Sequence, residues 1–255
     1  MTEFINFRHF RSFLILAHLF LYAHFVGLKL YQRVLIRLRR IEIAYMPVTN
    51  HNSQLLFGGL LILAYLMGSI PWGLILARIF SSQDIRLKGS HNIGATNVMR
   101  EAGALPGLLT LAGDYLKGAI PVYLALLLFG SADIFLAGIA LAAFLGHLYP
   151  LYLKFGDGGK GVATAAGCFT VVSPSAVLVA FGIFIVMLFV VRRVSVGSLT
   201  AAATLPAAIW LTTDSVMMLA AACIIAFLIF IRHQDNLKRL AAGKEPKFKL
   251  KKDRS

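Results

Sequence analysis

The chain has 255 residues, a mean hydropathy of +0.77, 58% hydrophobic residues and only 14% charged residues. Continuous apolar runs separated by short polar loops predict an all-α polytopic membrane protein, and they argue against a β-barrel, whose strands alternate in short segments. The formal charge of +14 would suggest nucleic-acid binding in a soluble protein, but cations that flank membrane spans and face anionic lipid explain it better, so we expect no nucleic-acid partner.

Residues 1–50 fit the membrane pattern poorly. An apolar stretch at residues 13–28 is followed by a basic run at residues 29–40. A signal peptide is disfavoured because the positive charge follows the apolar stretch. Two interpretations stay open: a basic amphipathic helix on a membrane surface, or translation that begins at Met46. We treat residues 1–50 as an extension without chemistry and residues 51–255 as the integral membrane domain.

Seven apolar runs are wide enough to be membrane helices. They are residues 55–80, 105–129, 134–153, 162–172, 176–191, 197–212 and 215–231. A straight crossing needs about 20 residues, so the shorter runs require tilted neighbours or a locally thinner bilayer.

The basic loops between these runs predict the orientation. Placing all of them in the cytoplasm satisfies the positive-inside rule. The chain must then cross an even number of times between Lys160 and Arg192, and Ser173-Pro174 supplies the break, because proline removes a backbone donor. The prediction is seven crossings with an outer N-terminus and a cytoplasmic C-terminus.

The first loop, KGSHNIGATNVMREAG (residues 88–103), is more polar than a connector requires. Its glycines permit tight turns and close approach to a ligand, and Arg100 has the fork geometry that clamps phosphate. Four further side chains offer hydrogen bonds: Ser90, Asn92, Thr96 and Asn97. Turn and cap chemistry is an equally open interpretation of those four.

The second loop, FGDGGKGVATAAG (residues 155–167), runs from a glycine turn straight into a helix of small residues. Such a turn offers free N–H groups and a helix dipole to an anion, with Lys160 beside them. It is not a Walker A motif, which would need Gly in place of Lys154 and Ser or Thr in place of Gly161. A flexible connecting turn is the alternative.

The third loop, IRHQDNLKRLAAGKEPKF (residues 231–248), places His233, Asn236 and Arg239 three apart on one helical face. Taken alone, it is typical of a juxtamembrane helix. Within the second span, Asp114 and Lys117 are also three apart and are expected to pair and face the bundle interior.

These motifs have a family resemblance. In this order, GSHNIGATNVMR, LKFGDGGKGVAT and RHQDNLKRLAAGKE resemble the three cytoplasmic motifs of the bacterial membrane-integral acyl-phosphate:glycerol-3-phosphate acyltransferases, and GSIPWG and DYLKG are similar too. The resemblance covers residues 55–246. The chain departs from the family at His91, where glycine is usual, and in having residues 1–50.

The resemblance implies a seven-helix enzyme in the bacterial inner membrane with its site at the cytoplasmic face. Its reaction would transfer an acyl group from acyl phosphate to the 1-hydroxyl of sn-glycerol 3-phosphate, giving lysophosphatidic acid and inorganic phosphate in the first step of phospholipid synthesis. The implied partners are those two substrates, the lipid bilayer and the enzyme that makes acyl phosphate.

The resemblance also implies the site residues. They are Ser90, Asn92, Thr96, Asn97 and Arg100 from the first loop, Gly158, Gly159, Lys160 and Gly161 from the second, and His233, Asn236 and Glu245 from the third. We expect Arg100, Lys160, His233 and Asn236 to bind phosphate groups and the glycines to cradle the donor's phosphate. Ser90 is expected to bind phosphate or acceptor, Glu245 to orient its loop, and either His233 or the donor's phosphate to accept the proton.

Two competing classes are weaker. The HxxxxD signature of other glycerol-phosphate acyltransferases is absent, because Lys238 follows His233 by five positions and Tyr152 follows His147 by five. A transporter of an anionic metabolite would place its polar groups at mid-membrane, whereas most lie here in loops on one face. The chain shows no metal-ligand cluster and its two cysteines lie in apolar runs, so we expect neither a metal nor a cofactor.

Overall fold

The computed structural model describes residues 51–82, 84–156 and 158–248, so the predictions for residues 1–50 lie outside the described residues. Within this part the chain is all-α, with two 3-10 turns at Ile85–Leu87 and Leu151–Leu153. The helices are α1 (His51–Gly68), α2 (Trp72–Ser81), α3 (Ala95–Glu101), α4 (Ala104–Phe129), α5 (Asp133–Leu148), α6 (Val162–Val172), α7 (Pro174–Val191), α8 (Val194–Thr213), α9 (Val216–Arg232) and α10 (Gln234–Ala241).

Each of the seven predicted apolar runs is helical, and the fold is that of an integral membrane protein. Among the described residues, five segments are long and apolar enough to cross: His51–Ser81, Ala104–Phe129, Asp133–Leu153, Pro174–Val191 and Val194–Thr213. A sixth exists if α9 and α10, which meet at 56°, form one bent span. The count of seven crossings, and the sidedness that depends on it, stays a prediction.

The first span is broken, which the single run at residues 55–80 did not predict. The helix stops at Gly68 and restarts at Trp72, directly after Pro71, which has no N–H to donate. The ammonium of Lys117 donates to the carbonyl oxygen of Ile70 at 2.9 Å. The N–H of Trp72 donates to the same oxygen at 3.0 Å, so this carbonyl group at the break is paired within the protein, as an apolar environment demands.

Small residues let the helices pack closely. A Cβ at Gly146 of α5 would overlap the carbonyl oxygen of Tyr65 in α1, and a Cβ at Gly167 of α6 would overlap that of Tyr115 in α4. Between helices in lipid, such close van der Waals contact replaces the hydrophobic effect as the driving force. In contrast, α7 exposes large apolar side chains such as Phe189, which face the surrounding lipid.

Helix α6 is much shorter than α8, beside which it ends. Ser173, directly after α6, donates from Oγ to Oγ1 of Thr212 near the end of α8, at 2.8 Å, so the two helices finish at the same level. However, α6 has 11 residues and α8 has 20. Helix α6 is therefore shorter than α8 by nine residues, which corresponds to roughly 13 Å of helical rise.

Candidate active site

The three polar loops lie at one end of the bundle, where α2, α5, α7 and α9 end and α4, α6 and α8 begin. The second and third loops are joined directly, because the ammonium of Lys160 donates to Oδ1 of Asn236. The third loop is also tied to the α7–α8 turn, where the N–H of Phe248 donates to the carbonyl oxygen of Arg192 at 2.6 Å.

Asn97 is the scaffold of the first loop. Its side chain is buried, and its Oδ1 accepts from the N–H of Ser90 at 2.9 Å. Its Nδ2 donates to the carbonyl oxygens of Ile85 and Lys88 at 3.2 and 3.1 Å. Every one of these bonds is made to the backbone of residues 85–90, which favours the turn interpretation of Asn97 over ligand binding.

The other first-loop candidates remain open to a ligand to different degrees. Oδ1 of Asn92 accepts from the N–H of Gly94 at 2.9 Å, which closes a turn just before α3 and leaves the amide Nδ2 for a ligand. Thr96 and Arg100 are exposed on α3, a short helix within a segment for which the sequence predicts only a loop. The Ser90 hydroxyl and the Arg100 guanidinium have no partner among the described residues.

His91, the departure from the family pattern, occupies a left-handed backbone position with φ of +56°. This is a conformation that glycine adopts without strain, so the glycine expected from the resemblance would fit this position better than histidine does. Nδ1 of His91 lies 2.9 Å from the carbonyl oxygen of Arg86, a contact that holds the exposed ring against the loop.

The glycine turn of the second loop (Gly158, Gly159, Lys160 and Gly161) lies against the end of α5. A Cβ at Gly159 would overlap the ring of His147, and a Cβ at Gly161 would overlap the ring of Phe144. Gly161 also has φ of +81° and precedes the first residue of α6. Glycine is therefore required at both positions by close approach, and at Gly161 by backbone conformation too.

The backbone of this turn is polarised. Its carbonyl oxygens at Gly158 and Gly159 accept from Nη2 and Nε of Arg232, at 2.6 and 3.3 Å. The N–H groups from Gly158 to Gly161 have no acceptor within the described residues. The guanidinium of Arg232 thus binds the carbonyl oxygens of the turn, and the backbone N–H groups stay available. This arrangement is typical of a backbone site for an anion.

A chain of side chains continues from this turn into the third loop. Asn236, which accepts from Lys160, donates from Nδ2 to Oε1 of Glu245 at 2.7 Å. Nε of Arg239 donates to Oε2 of Glu245 at 2.8 Å. Glu245 and Asn236 are buried, and Glu245 orients both the amide and Arg239.

The surroundings shift the pKa of Lys160. Burial, assisted by the nearby charges of Arg239 and Arg100, lowers the pKa of the Lys160 ammonium to about 8, against the opposing carboxylates of Glu245 and Asp235. Arg100 of the first loop is the most weakly acting of these charges.

His233 lies at the junction of α9 and α10, where it is buried. Burial and the charge of Lys160 lower its pKa to about 4, so the ring is neutral at pH 7. Nδ1 lies 2.8 Å from the carbonyl oxygen of Ile229, which can only accept, so Nδ1 carries the proton. The remaining nitrogen, Nε2, is therefore a hydrogen-bond acceptor.

A buried polar cluster lies directly beneath the glycine turn. The Lys117 ammonium pairs with Oδ1 of Asp114 at 2.8 Å, as predicted from their spacing. Thr164 of α6 donates to the carbonyl oxygen of Asp114 at 2.9 Å and lies 3.1 Å from Nδ1 of His147. Nε2 of His147 is buried and has no partner in the described part of the chain.

Two residues of this site were not assigned to it from sequence. Arg232 was indistinguishable from any other cation that follows a span, and only its bonds to Gly158 and Gly159 reveal its role. The sequence indicates nothing for His147 beyond the absent HxxxxD signature, and the proximity of His147 to the turn depends on a contact between separate loops. No group of three or more metal-ligating side chains occurs in the part that the structure describes.

Known proteins share both the sequence and the fold of this chain. A family model described as glycerol-3-phosphate acyltransferase matches residues 58–243. Glycerol-3-phosphate acyltransferase of Syntrophotalea carbinolica is 48% identical over 190 residues, covering 74% of this chain and 96% of the relative. That of Geobacter sulfurreducens is 47% identical over 186 residues, covering 73% and 94%.

Two solved structures are similar to the fold described above. Both are crystal structures of PlsY (YgiH), an integral membrane glycerol 3-phosphate acyltransferase. The glycerol 3-phosphate form has a TM-score of 0.73 at 40% identity and covers 76% of this chain and 96% of its own. The lysophosphatidic acid form has a TM-score of 0.70 at 39% identity and covers 76% and 95%.

Proposed function

We propose that this chain, which belongs to the glycerol-3-phosphate acyltransferase family, uses an acyl phosphate as its acyl donor. It is a multi-pass membrane enzyme that makes lysophosphatidic acid from glycerol 3-phosphate. In the proposed reaction, the 1-hydroxyl oxygen attacks the acyl carbonyl carbon, the bond from that carbon to the phosphate oxygen breaks, and inorganic phosphate leaves.

The observation that carries this proposal is the glycine turn, with its free N–H groups beside Lys160. An acyl phosphate is already activated, so the enzyme has to hold two phosphate groups and place the hydroxyl near the carbonyl. The turn is suited to the donor's phosphate, because N–H groups and an ammonium also stabilise the charge that develops as phosphate departs. Gly158, Gly159 and Gly161 act through their backbone.

The acceptor is proposed to bind between the first and third loops. The exposed Arg100 guanidinium offers bidentate hydrogen bonds to the phosphate of glycerol 3-phosphate, and Ser90, Asn92 and Thr96 lie on the same loop. Asn236 fixes Lys160 between the two phosphates, and Glu245 fixes Asn236. We retain Asn97 as the residue that shapes this loop and not as a ligand.

The proton of the hydroxyl has two candidate acceptors. Nε2 of His233 is an acceptor at neutral pH, which suits a hydroxyl better than a phosphate oxygen. The leaving phosphate of the donor is the second candidate. With either acceptor, no covalent enzyme intermediate is needed. We propose that the site faces the cytoplasm of a bacterial inner membrane, because the loops that carry it are the basic ones.

The test is turnover by purified protein supplied with glycerol 3-phosphate and either palmitoyl phosphate or palmitoyl-CoA, with lysophosphatidic acid and phosphate both measured. Lys160→Gln is compared with Lys238→Gln, which removes the same charge from an exposed position on α10. We expect turnover with acyl phosphate alone, and a loss of at least about a hundredfold in Lys160→Gln only.

Two results would contradict the proposal. Turnover with palmitoyl-CoA at a similar rate would refute the choice of donor. Equal activity of the two lysine variants would refute the role of the glycine turn and its lysine.

A further inference from the structure

The glycine turn is held from two sides by residues of different helices. On one side the guanidinium of Arg232 donates hydrogen bonds to the carbonyl oxygens of Gly158 and Gly159. On the other side the imidazole of His147 lies so close to Gly159 that Nε2 is the first atom a Cβ would meet. The position of the free N–H groups is therefore set by contacts with the guanidinium of Arg232 and the imidazole of His147.

The imidazole of His147 is itself fixed in one orientation. Thr164 has one hydroxyl proton and directs it to the carbonyl oxygen of Asp114 at 2.9 Å, so its oxygen accepts from Nδ1–H of His147 at 3.1 Å. Oδ1 of Asp114, which lies 3.6 Å from Nδ1, favours the same tautomer. Nε2 then carries a lone pair, has no donor partner, and faces the turn.

The support for this imidazole extends to the break between α1 and α2. Asp114 is paired with Lys117, which in turn donates to the carbonyl oxygen of Ile70. A buried acceptor without a donor, such as Nε2, costs stability, so apolar packing alone would favour a different side chain here. The Asp114–Lys117 ion pair, Thr164 and His147 form one continuous set of polar contacts. It links the break between α1 and α2 to the glycine turn.

We infer that His147 is a positioning residue for catalysis, which sets where the glycine turn presents its N–H groups to the phosphate of the acyl donor. The inference rests on the proposed function of that turn. His147 acts through Gly159 and touches no reacting atom. Replacement of His147 moves the N–H groups of the turn away from the phosphate oxygens of acyl phosphate. This raises the KM for acyl phosphate more than it lowers kcat.

A double-mutant cycle tests this inference. The variants are His147→Asn, Arg232→Gln and the two combined, with Thr164→Val as a milder way to release the imidazole. If both residues act on one turn, each single variant raises the KM for acyl phosphate about tenfold, and the combination raises it little further. Thr164→Val shows the same effect at smaller size.

Ser173→Ala is the control for a purely structural effect. It removes a buried side-chain bond and the cap of α7 at the far end of α6. We expect it to lower the unfolding temperature without changing either KM. The inference is overturned if the His147 variants behave in this way, or if the effects of His147→Asn and Arg232→Gln multiply to about a hundredfold.

Two further outcomes separate this inference from the proposed function. A KM effect seen only for glycerol 3-phosphate would support positioning and reassign the turn to the acceptor's phosphate. If the wild type does not turn over acyl phosphate, the proposed donor is wrong, and the rise in unfolding temperature caused by inorganic phosphate becomes the measurement. A smaller rise in His147→Asn and Thr164→Val than in Ser173→Ala supports positioning, and equal rises overturn it.

Discussion

The charge of Lys160 predicts how the activity depends on pH. Its pKa is lowered to about 8, so at pH 9 only about one enzyme molecule in ten carries the ammonium, and kcat/KM falls about tenfold for each further pH unit. The acid limb is set by the second ionisation of the substrate phosphate, near pH 6. The result is a bell-shaped profile of kcat/KM between about pH 6 and pH 8.

The profile of kcat differs for a physical reason. A bound phosphate dianion stabilises the ammonium, so the alkaline limb of kcat lies above that of kcat/KM, which reports the free enzyme. The assay measures lysophosphatidic acid at each pH and subtracts an enzyme-free blank, because acyl phosphates hydrolyse in alkaline solution.

Lys160→Arg is the variant that isolates this effect, since a guanidinium stays charged throughout the range. The variant is expected to be slower, because a guanidinium differs in geometry from an ammonium, but its kcat/KM no longer falls at alkaline pH. Lys238→Arg, on exposed α10, keeps the limb near pH 8. If the limb persisted in Lys160→Arg, or if the wild type showed no limb below about pH 10, the assignment of the titration to Lys160 would be refuted.

Three other variants test the surroundings of the site by thermal unfolding and turnover. Asn97→Ala leaves the N–H of Ser90 unpaired and removes one of the two donors to each of the carbonyl oxygens of Ile85 and Lys88, so it is expected to lower the free energy of unfolding by about 2 kcal/mol, whereas exposed Thr96→Ala costs less than about 0.5 kcal/mol. His91→Gly removes a side chain from a left-handed backbone position, so it is expected to raise the free energy of unfolding by about 0.5 kcal/mol with activity retained. A lower free energy of unfolding would contradict this account. Gly161→Ala brings a Cβ into the ring of Phe144 at a positive φ, so it is expected to cost about 2 kcal/mol or more and to abolish activity; wild-type activity would show that the turn tolerates displacement.

The sequence predicts the helices and their ends well, because those depend on local chemistry. The break at Ser173-Pro174 is present, with Ser173 accepting from the N–H of Ala176. The break at Pro71 carried the same signal, but the apolar run on both sides of it concealed the interruption.

The site is less predictable, because the role of a side chain depends on its partner from another loop. Asn97 and Asn236 are both polar residues in family motifs, yet the side chain of Asn97 bonds to the nearby backbone of residues 85–90, while that of Asn236 contacts Lys160 of a different loop. Likewise, nothing local distinguishes Arg232, which holds the glycine turn, from Lys238, which is exposed. Only the packing of α5, α6 and α9 makes these differences.

The burial of the glycine turn bears on how much acyl phosphate is lost to hydrolysis. An acyl phosphate is a mixed anhydride that water cleaves as readily as an alcohol does, and every such event loses the energy stored in the donor. In the proposed mode of binding, the donor's phosphate lies at the glycine turn, where Gly158 and Gly159 are buried, so the protein determines which hydroxyl reaches the carbonyl. Burial of the glycine turn therefore favours tight coupling, in which each phosphate released corresponds to one molecule of lysophosphatidic acid formed.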